Sequence, residues 1–224
     1  MDSSPRPRST RDRPAKPPLS EEAIVDAALA ILKSQGLEAV SMRRVAAALD
    51  TGAGSLYVYV AGREGLLEAM FDRIVATIEL ETPDPSRWRA QLHSLLTRMR
   101  DALVAHPGIA ATAMVDPPRT EAALTVLENL LGLLLAGEID PQDAAWAADI
   151  LAAQVTYAAI EAGLRRTDPD ELADKVAADL ARLPADRFPL ITAYTPQLVA
   201  GDVEERFRFA IDAVIDGVLA RHQQ

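Results

Sequence analysis

Ser41-Met42-Arg43-Arg44-Val45-Ala46-Ala47-Ala48-Leu49-Asp50-Thr51-Gly52-Ala53-Gly54-Ser55-Leu56-Tyr57-Val58-Tyr59-Val60-Ala61-Gly62-Arg63 reads as two short helices joined by a tight turn. Ser41 is placed to accept a hydrogen bond from a free N–H of the first turn. Met42, Val45 and Leu49 recur at helical spacing and predict a core-facing stripe, with Ala46 small where a crossing helix must come close. Asp50-Thr51-Gly52 breaks the pattern; aspartate is one of the few residues besides glycine that visits the left-handed backbone region. The second run, Ala53 to Val60, turns Leu56 and Val60 inward and leaves Ala53, Gly54, Ser55, Tyr57 and Tyr59 more outward. A short helix with few bulky outer side chains, held at an angle by another, is shaped to enter a DNA major groove. Arg43 and Arg44 open the first helix, within reach of phosphate or a guanine edge. Gly52-x-Gly54 also suggests a phosphate loop, but no lysine follows and no strand precedes it.

Around this stretch, Ile24-Val25-Asp26-Ala27-Ala28, Gly36-Leu37, Ser41-Met42-Arg43-Arg44-Val45-Ala46, Gly54-Ser55-Leu56-Tyr57 and Arg63-Glu64-Gly65-Leu66-Leu67 stand in fixed order. From Leu19 to about Phe71 the chain resembles the N-terminal domain of the tetracycline-repressor (TetR) family. The resemblance implies that Arg43, Ser55, Tyr57 and Arg63 touch DNA, some at bases and some at phosphates. The family usually has glycine at the turn position that Asp50 occupies.

The net charge of −10 looks adverse for a DNA binder, but its distribution resolves the conflict. Residues 1–73 hold ten basic and ten acidic side chains, and the remainder thirteen and twenty-three. Phosphate attraction is local and screened beyond about 10 Å at ordinary salt, so the acidic body suppresses non-specific association without forbidding binding. Apolar residues make up 49% and aromatics only 4%, an alanine- and leucine-rich composition that favours helices. No run of about eighteen apolar residues predicts a membrane span, and the N-terminus lacks the apolar core of a signal peptide. The absence of cysteine excludes disulfides and thiolate metal sites and fits a cytoplasmic protein.

Residues 1–18 carry Arg6, Arg8, Arg11, Arg13 and Lys16 among five prolines, which predicts a disordered basic arm that either follows DNA or has no role. Ser20 caps a helix to about Gln35, with Ile24, Ala27, Ala28, Ile31 and Leu32 inward and Gly36 stopping it. A fourth helix runs from Arg63 to about Leu80, ended by Thr82-Pro83-Asp84-Pro85. The expected fold is all-α: a three-helix helix-turn-helix domain over 19–80, joined to a larger helical ligand-binding and dimerisation domain over 81–224. In the latter, helices are expected from Ser86 to Ala105, Thr120 to Ala136, Pro141 to Arg166, Asp168 to Leu183 and Asp202 to His222. A short piece follows Pro107, and a proline-broken loop with at most short turns spans 184–201.

Two helices carry excess small or apolar faces: Ala148, Ala152, Val155, Ala159 and Ala162 in one, Val203, Phe207, Ala210, Val214, Ile215 and Val218 in the other. The resemblance implies that the corresponding helices, about 141–166 and 202–221, form a four-helix bundle with a second subunit. A homodimer also supplies the second half-site that one helix-turn-helix lacks. Larger residues, Trp88, His93, Met99, Met114, Trp146, Gln154 and Tyr157, are candidates to line a small-molecule pocket, with ordinary core packing as the rival reading for each. By resemblance this domain holds an inducer that moves the fourth helix. The residues that grip magnesium–tetracycline in the family's namesake have no identifiable counterparts.

His106 before Pro107-Gly108 reads as a capping or linking residue. The three histidines have no metal-ligand spacing, and no nucleophile has a positioned base; neither a cofactor nor catalysis is expected. The reading is a ligand-responsive DNA-binding transcriptional regulator, a repressor released from a palindromic double-stranded operator by a small molecule. Arg43 and Ser55 would contact bases; Arg44, Tyr57, Tyr59 and Arg63 would fix phosphates. The alternative is a helical small-molecule sensor that has lost specific DNA binding, and transcriptional activation is compatible with the same residues.

Overall fold

The computed structural model describes residues 18–114, 119–164 and 169–221, with backbone alone at 112–114, 164 and 169–170. The basic arm, up to residue 17, lies outside the described residues, as does the side chain of Met114. Eleven α-helices are present among the described residues, and no strand.

Helix α1 (Glu21–Gln35) begins where expected: Ser20 Oγ accepts from the Ala23 N–H at 3.2 Å. It ends at Gly36, whose φ of 81° suits glycine. Ile24, Val25, Ala28, Ile31 and Leu32 are buried and Ala27 half-buried. A 3-10 turn (Leu37–Ala39) leads to α2 (Met42–Ala48), capped by Ser41 Oγ. At the end of α2 the Asp50 N–H bonds to Ala47 O and the Thr51 N–H to Ala46 O. This is the Schellman pattern that demands a left-handed residue, and Asp50 supplies it at φ 49°. The turn is therefore intact with aspartate in glycine's usual place.

The second run is a single helical turn, α3 (Ala53–Leu56), continued by turns through Tyr59 rather than a helix to Val60. Gly54 and the β-branched Val58 weaken helix propagation, while buried Leu56 and Val60 pin the segment to the core. Ala53 is half-buried against that core, less outward than expected.

Helix α4 (Gly62–Val75) stops about five residues early. Thr77 bonds the Ile74 carbonyl with both its N–H and its hydroxyl, at 3.1 and 2.7 Å, removing the acceptor that the next turn needs. Nor does Ser86 cap α5 (Trp88–Val104): its N–H and hydroxyl both donate to Asp84 Oδ1, and Arg87 holds the N-cap position without a side-chain bond.

A 3-10 stretch (Ile109–Met114), α6 (Glu121–Ala136) and α7 (Pro141–Leu164) follow, and α5, α6 and α7 pack mutually. The end of α6 fits closely around Trp88: a Cβ added to Gly137 would sit 2.5 Å from the indole. Gly137→Ala should therefore cost about 1–3 kcal/mol by overpacking, read as a lowered denaturation midpoint; an unchanged midpoint would mean that the ring moves aside freely.

Helix α8 (Pro169–Leu180) leads into the region 184–201, expected as a loop, which contains two one-turn helices, α9 (Pro189–Ala193) and α10 (Thr195–Val199). Each has proline in its first turn, where the fixed φ favours helix and the missing N–H costs nothing.

Helix α11 (Val203–Arg221) starts with a capping box: Asp202 Oδ1 accepts from the Glu205 N–H, and Glu205 Oε2 from the Asp202 N–H. Phe207, Ile211 and Ile215 bury its inner face. Arg100 lies 4.6 Å over the Phe207 ring and pairs with Glu204. Arg89 bridges Asp212 and Asp216, and His93 Nε2 lies 3.0 Å from Asp212 Oδ1. Hydrogen bonding from Arg89, then from His93, holds the Asp212 carboxyl below its ordinary range. A carboxyl lowered in the folded state stabilises above its unfolded range and loses that contribution as pH falls through its folded value. The stability gap between wild type and Asp212→Asn should thus be widest near pH 7 and close below about pH 4; thermal melts across that range check it, and a gap independent of pH would refute it.

Candidate nucleic-acid interface and ligand cavity

Arg43, Arg44, Gly54, Ser55, Tyr57, Tyr59 and Arg63 are all exposed on α2, on α3 and its following turn, and on the start of α4. They differ in how they are held. Arg43 makes no hydrogen bond to a described residue, whereas Arg44 donates to Gln35 Oε1 and Arg63 Nε donates to the Val40 carbonyl at 3.3 Å. Tyr57 is 60% exposed although Leu56 beside it is fully buried. The ring stands on the outer face of the turn whose inner face Leu56 buries, together with exposed Val58 and Tyr59. Nothing lies within 4 Å of a Cβ built on Gly52 or Gly54, so both glycines open onto empty space. Val58, 80% exposed between the tyrosines, is not among the residues expected on this surface and belongs to it all the same; its position between two outward aromatics is the signal that the sequence offers.

The expected pocket residues are not brought together. Trp88 packs on Gly137, and His93 joins the Arg89–Asp212 cluster. Trp146 and Tyr157 are 55% and 57% exposed on the outside of α7, and Gln154 is half-buried away from the cavity. Among the described side chains of the set, Met99 alone lines the cavity of about 150 Å³, partly open to solvent, between α4, α5, α6 and α7. Its walls are Phe71 and Val75 of α4 with Ile78 just beyond, Met99 and Leu103 of α5, and Ala123, Val126, Leu127 and Leu130 of α6. Ala152, Val155 and Thr156 of α7 complete it.

The two stripes of α7 are thus interchanged relative to expectation. The alanine stripe faces inward: Ala148, Val155 and Ala159 are buried and Ala152 reaches the cavity. Small side chains admit α5 and α6 at close range, so that face is the subunit's own core. The aromatic stripe, Trp146, Ile150 and Tyr157, lies outside. On α11 the inner stripe likewise holds Phe207 and Ile215, while Phe209, Ala213 and Gly217 are exposed. His106 links as expected, its Nδ1 2.8 Å from the Ala102 carbonyl at the end of α5. No group of acidic and histidine side chains able to hold a metal occurs among the described residues, nor does a helix there have the length and apolarity to cross a membrane.

A helix-turn-helix with exposed arginine, serine and tyrosine, coupled by α4 to a helical body with an apolar cavity, defines a DNA-binding transcriptional regulator. Two family profiles cover the chain: that of bacterial regulatory proteins of the tetR family at residues 24–70, and that of the tetracyclin repressor-like C-terminal domain at residues 82–222. The chain belongs to the TetR family, whose members bind DNA and ligands and form dimers. Among solved structures it is similar to ActR of Streptomyces coelicolor in complex with actinorhodin (33% identity, 91% of this chain and 97% of that one, TM-score 0.84). It is also similar to SCO7222, a TetR-type regulator of the same organism (28% identity, 91% and 99%, TM-score 0.75). A relative in sequence is the HTH-type transcriptional repressor DrrR1 of Streptomyces coeruleorubidus, 28% identical over 92% of this chain and 79% of that protein.

Proposed function

We propose that this chain is a homodimeric cytoplasmic repressor, bound to a palindromic operator and released when a small molecule enters the cavity between α4 and α7. The observation that carries this reading is that Phe71 and Val75 belong both to the helix behind the DNA-contacting surface and to the cavity wall. A ligand that changes the cavity's shape acts directly on α4, and half-site spacing follows α4. The complex of ActR with actinorhodin supports a ligand for this chain.

In this reading residues 19–80 form the reading domain, residues 81–224 the sensing and dimerising domain, and residues 1–18 an arm. Arg43 and Ser55 contact bases. Arg44, Tyr57, Tyr59 and Arg63 hold phosphates, with Ala53 and Gly54 permitting close approach. The subunits pair through the outer faces of α7 and α11, where Trp146, Ile150 and Tyr157 of one helix and Ala213 and Gly217 of the other are exposed. Nothing lies within 4 Å of a Cβ built on Gly217, which leaves room for a partner helix.

Selection of binding sites from random duplex DNA, followed by salt titration, tests the reading. An inverted repeat should be enriched, with affinity falling steeply as salt rises. Enrichment of a single half-site, or no enrichment, would overturn it.

A further inference from the structure

The chemistry of the cavity wall narrows the class of molecule it holds, given the reading above that this cavity is the effector site. We infer that the ligand is an uncharged, predominantly hydrocarbon ring compound that donates one hydrogen bond, through O–H or N–H, to Thr156. Phe71, Val75, Leu127, Leu130 and Val155 offer hydrocarbon alone, and no described lining residue is ionisable. An ionised carboxylate, phosphate or amine entering this space loses its water and gains no counter-charge, a cost far above what dispersion returns. A ring loses nothing comparable and gains close contact with the hydrocarbon lining. The thioether of Met99, flexible and polarisable, can follow the outline of an aromatic edge.

Among the described lining residues, Thr156 is the one side chain with a hydrogen-bonding group, and its proton is already committed. The hydroxyl donates to the Ala152 carbonyl one turn back, at 3.0 Å. What remains on the oxygen is acceptor capacity, so the cavity selects a donor and disfavours a bare carbonyl or ether at that point. Size sets a further limit. A void of about 150 Å³ is of the order that accepts one benzene-sized ring in an apolar protein interior. A one- or two-ring compound fits the cavity with small adjustments, and a larger one must push α4 and α6 apart.

A matched series tests this on the full-length dimer: indole (neutral, N–H donor), 1-methylindole (neutral, no donor) and indole-3-carboxylate (donor plus charge). Binding is read by calorimetry and thermal shift. Indole should bind about tenfold more tightly than 1-methylindole, as expected for one buried donor paired or left unpaired, and the carboxylate should not bind detectably. Thr156→Val should bring indole to the level of 1-methylindole and leave 1-methylindole itself unchanged. Ala123→Phe, at a half-buried edge of the cavity, should abolish binding of both neutral probes while preserving helicity and melting temperature.

Equal binding of indole and 1-methylindole to the wild type, tighter binding of the carboxylate, or no binding by any probe would overturn the inference. Operator release measured in the same samples separates the two readings. Indole that binds without releasing DNA overturns the regulatory reading and leaves the ligand chemistry standing. Release by the charged compound alone does the reverse.

Discussion

Trp146→Glu is expected to convert the protein to a monomer that no longer holds its operator at concentrations where wild type saturates it. Trp146, Ile150 and Tyr157 stand on one face of α7, each more than half exposed in the single subunit. An apolar, aromatic-rich face of this kind is expected to be covered by a partner. A two-fold axis places each substitution in the interface twice. Leaving an unpaired charge in a desolvated interface costs about 2 kcal/mol or more per copy, so the pair weakens the dimer by about a thousandfold at 1.4 kcal/mol per tenfold. Light scattering on the eluting protein reads the mass, and fluorescence anisotropy on the selected operator reads the binding. Because the side chain is exposed in the subunit, helicity and monomer fold should survive. A dimer that persists would remove this face from the interface.

The same helix marks the limit of what the sequence discloses. Periodicity separates the two stripes of α7 correctly, but it does not say which is inside. Large aromatics look like pocket walls and alanines like a contact seam. The structure puts the alanines inside, because small side chains are what a helix needs where α5 and α6 press close, and leaves the aromatics exposed. An aromatic stripe is not required to be internal when a second subunit is available to cover it. Helix α4 is a parallel case. The pattern continues past Val75, and the stop is a local competition in which Thr77 takes the Ile74 carbonyl, a hydrogen-bonding choice invisible to hydrophobic spacing. The cavity leaves as little trace in the sequence. Its residues come from four helices and are ordinary Leu, Val and Phe, and the lone hydroxyl of Thr156 within an apolar stripe is the available hint. By contrast, the exposed face of the helix-turn-helix is largely legible in the sequence. Its signals are local: a serine cap, a left-handed turn at Asp50, and buried Leu56 and Val60 interleaved with outward Ser55, Tyr57 and Tyr59.

Arg43→Ala should weaken specific operator binding by about 1–3 kcal/mol, or about 5- to 150-fold, if the guanidinium grips a guanine edge with two hydrogen bonds. Three features make this substitution informative. The side chain is exposed and bonds to no described residue, so its removal should leave stability unchanged and the weaker binding is attributable to DNA. Arg63, in contrast, donates to the Val40 carbonyl and Arg44 to Gln35, and their removal disturbs the fold locally as well. The second feature is position: Arg43 is exposed in the first turn of α2, the helix that precedes the turn to Ser55 and Tyr57. The third is that base-reading and phosphate-holding arginines leave different signatures when truncated. If Arg43 reads a base, its truncation reduces the ratio of specific to non-specific affinity and makes one operator position indifferent to sequence. If Arg44 holds a phosphate, its truncation weakens both kinds of binding together and lowers the salt slope by about one. Anisotropy titrations of both variants against the operator, a single-position operator series and unrelated duplex, at two or more salt concentrations, distinguish the two. If Arg43→Ala keeps the specificity ratio and only flattens the salt slope, Arg43 is a phosphate clamp and the base reading rests on Ser55 and the groove-facing backbone of α3.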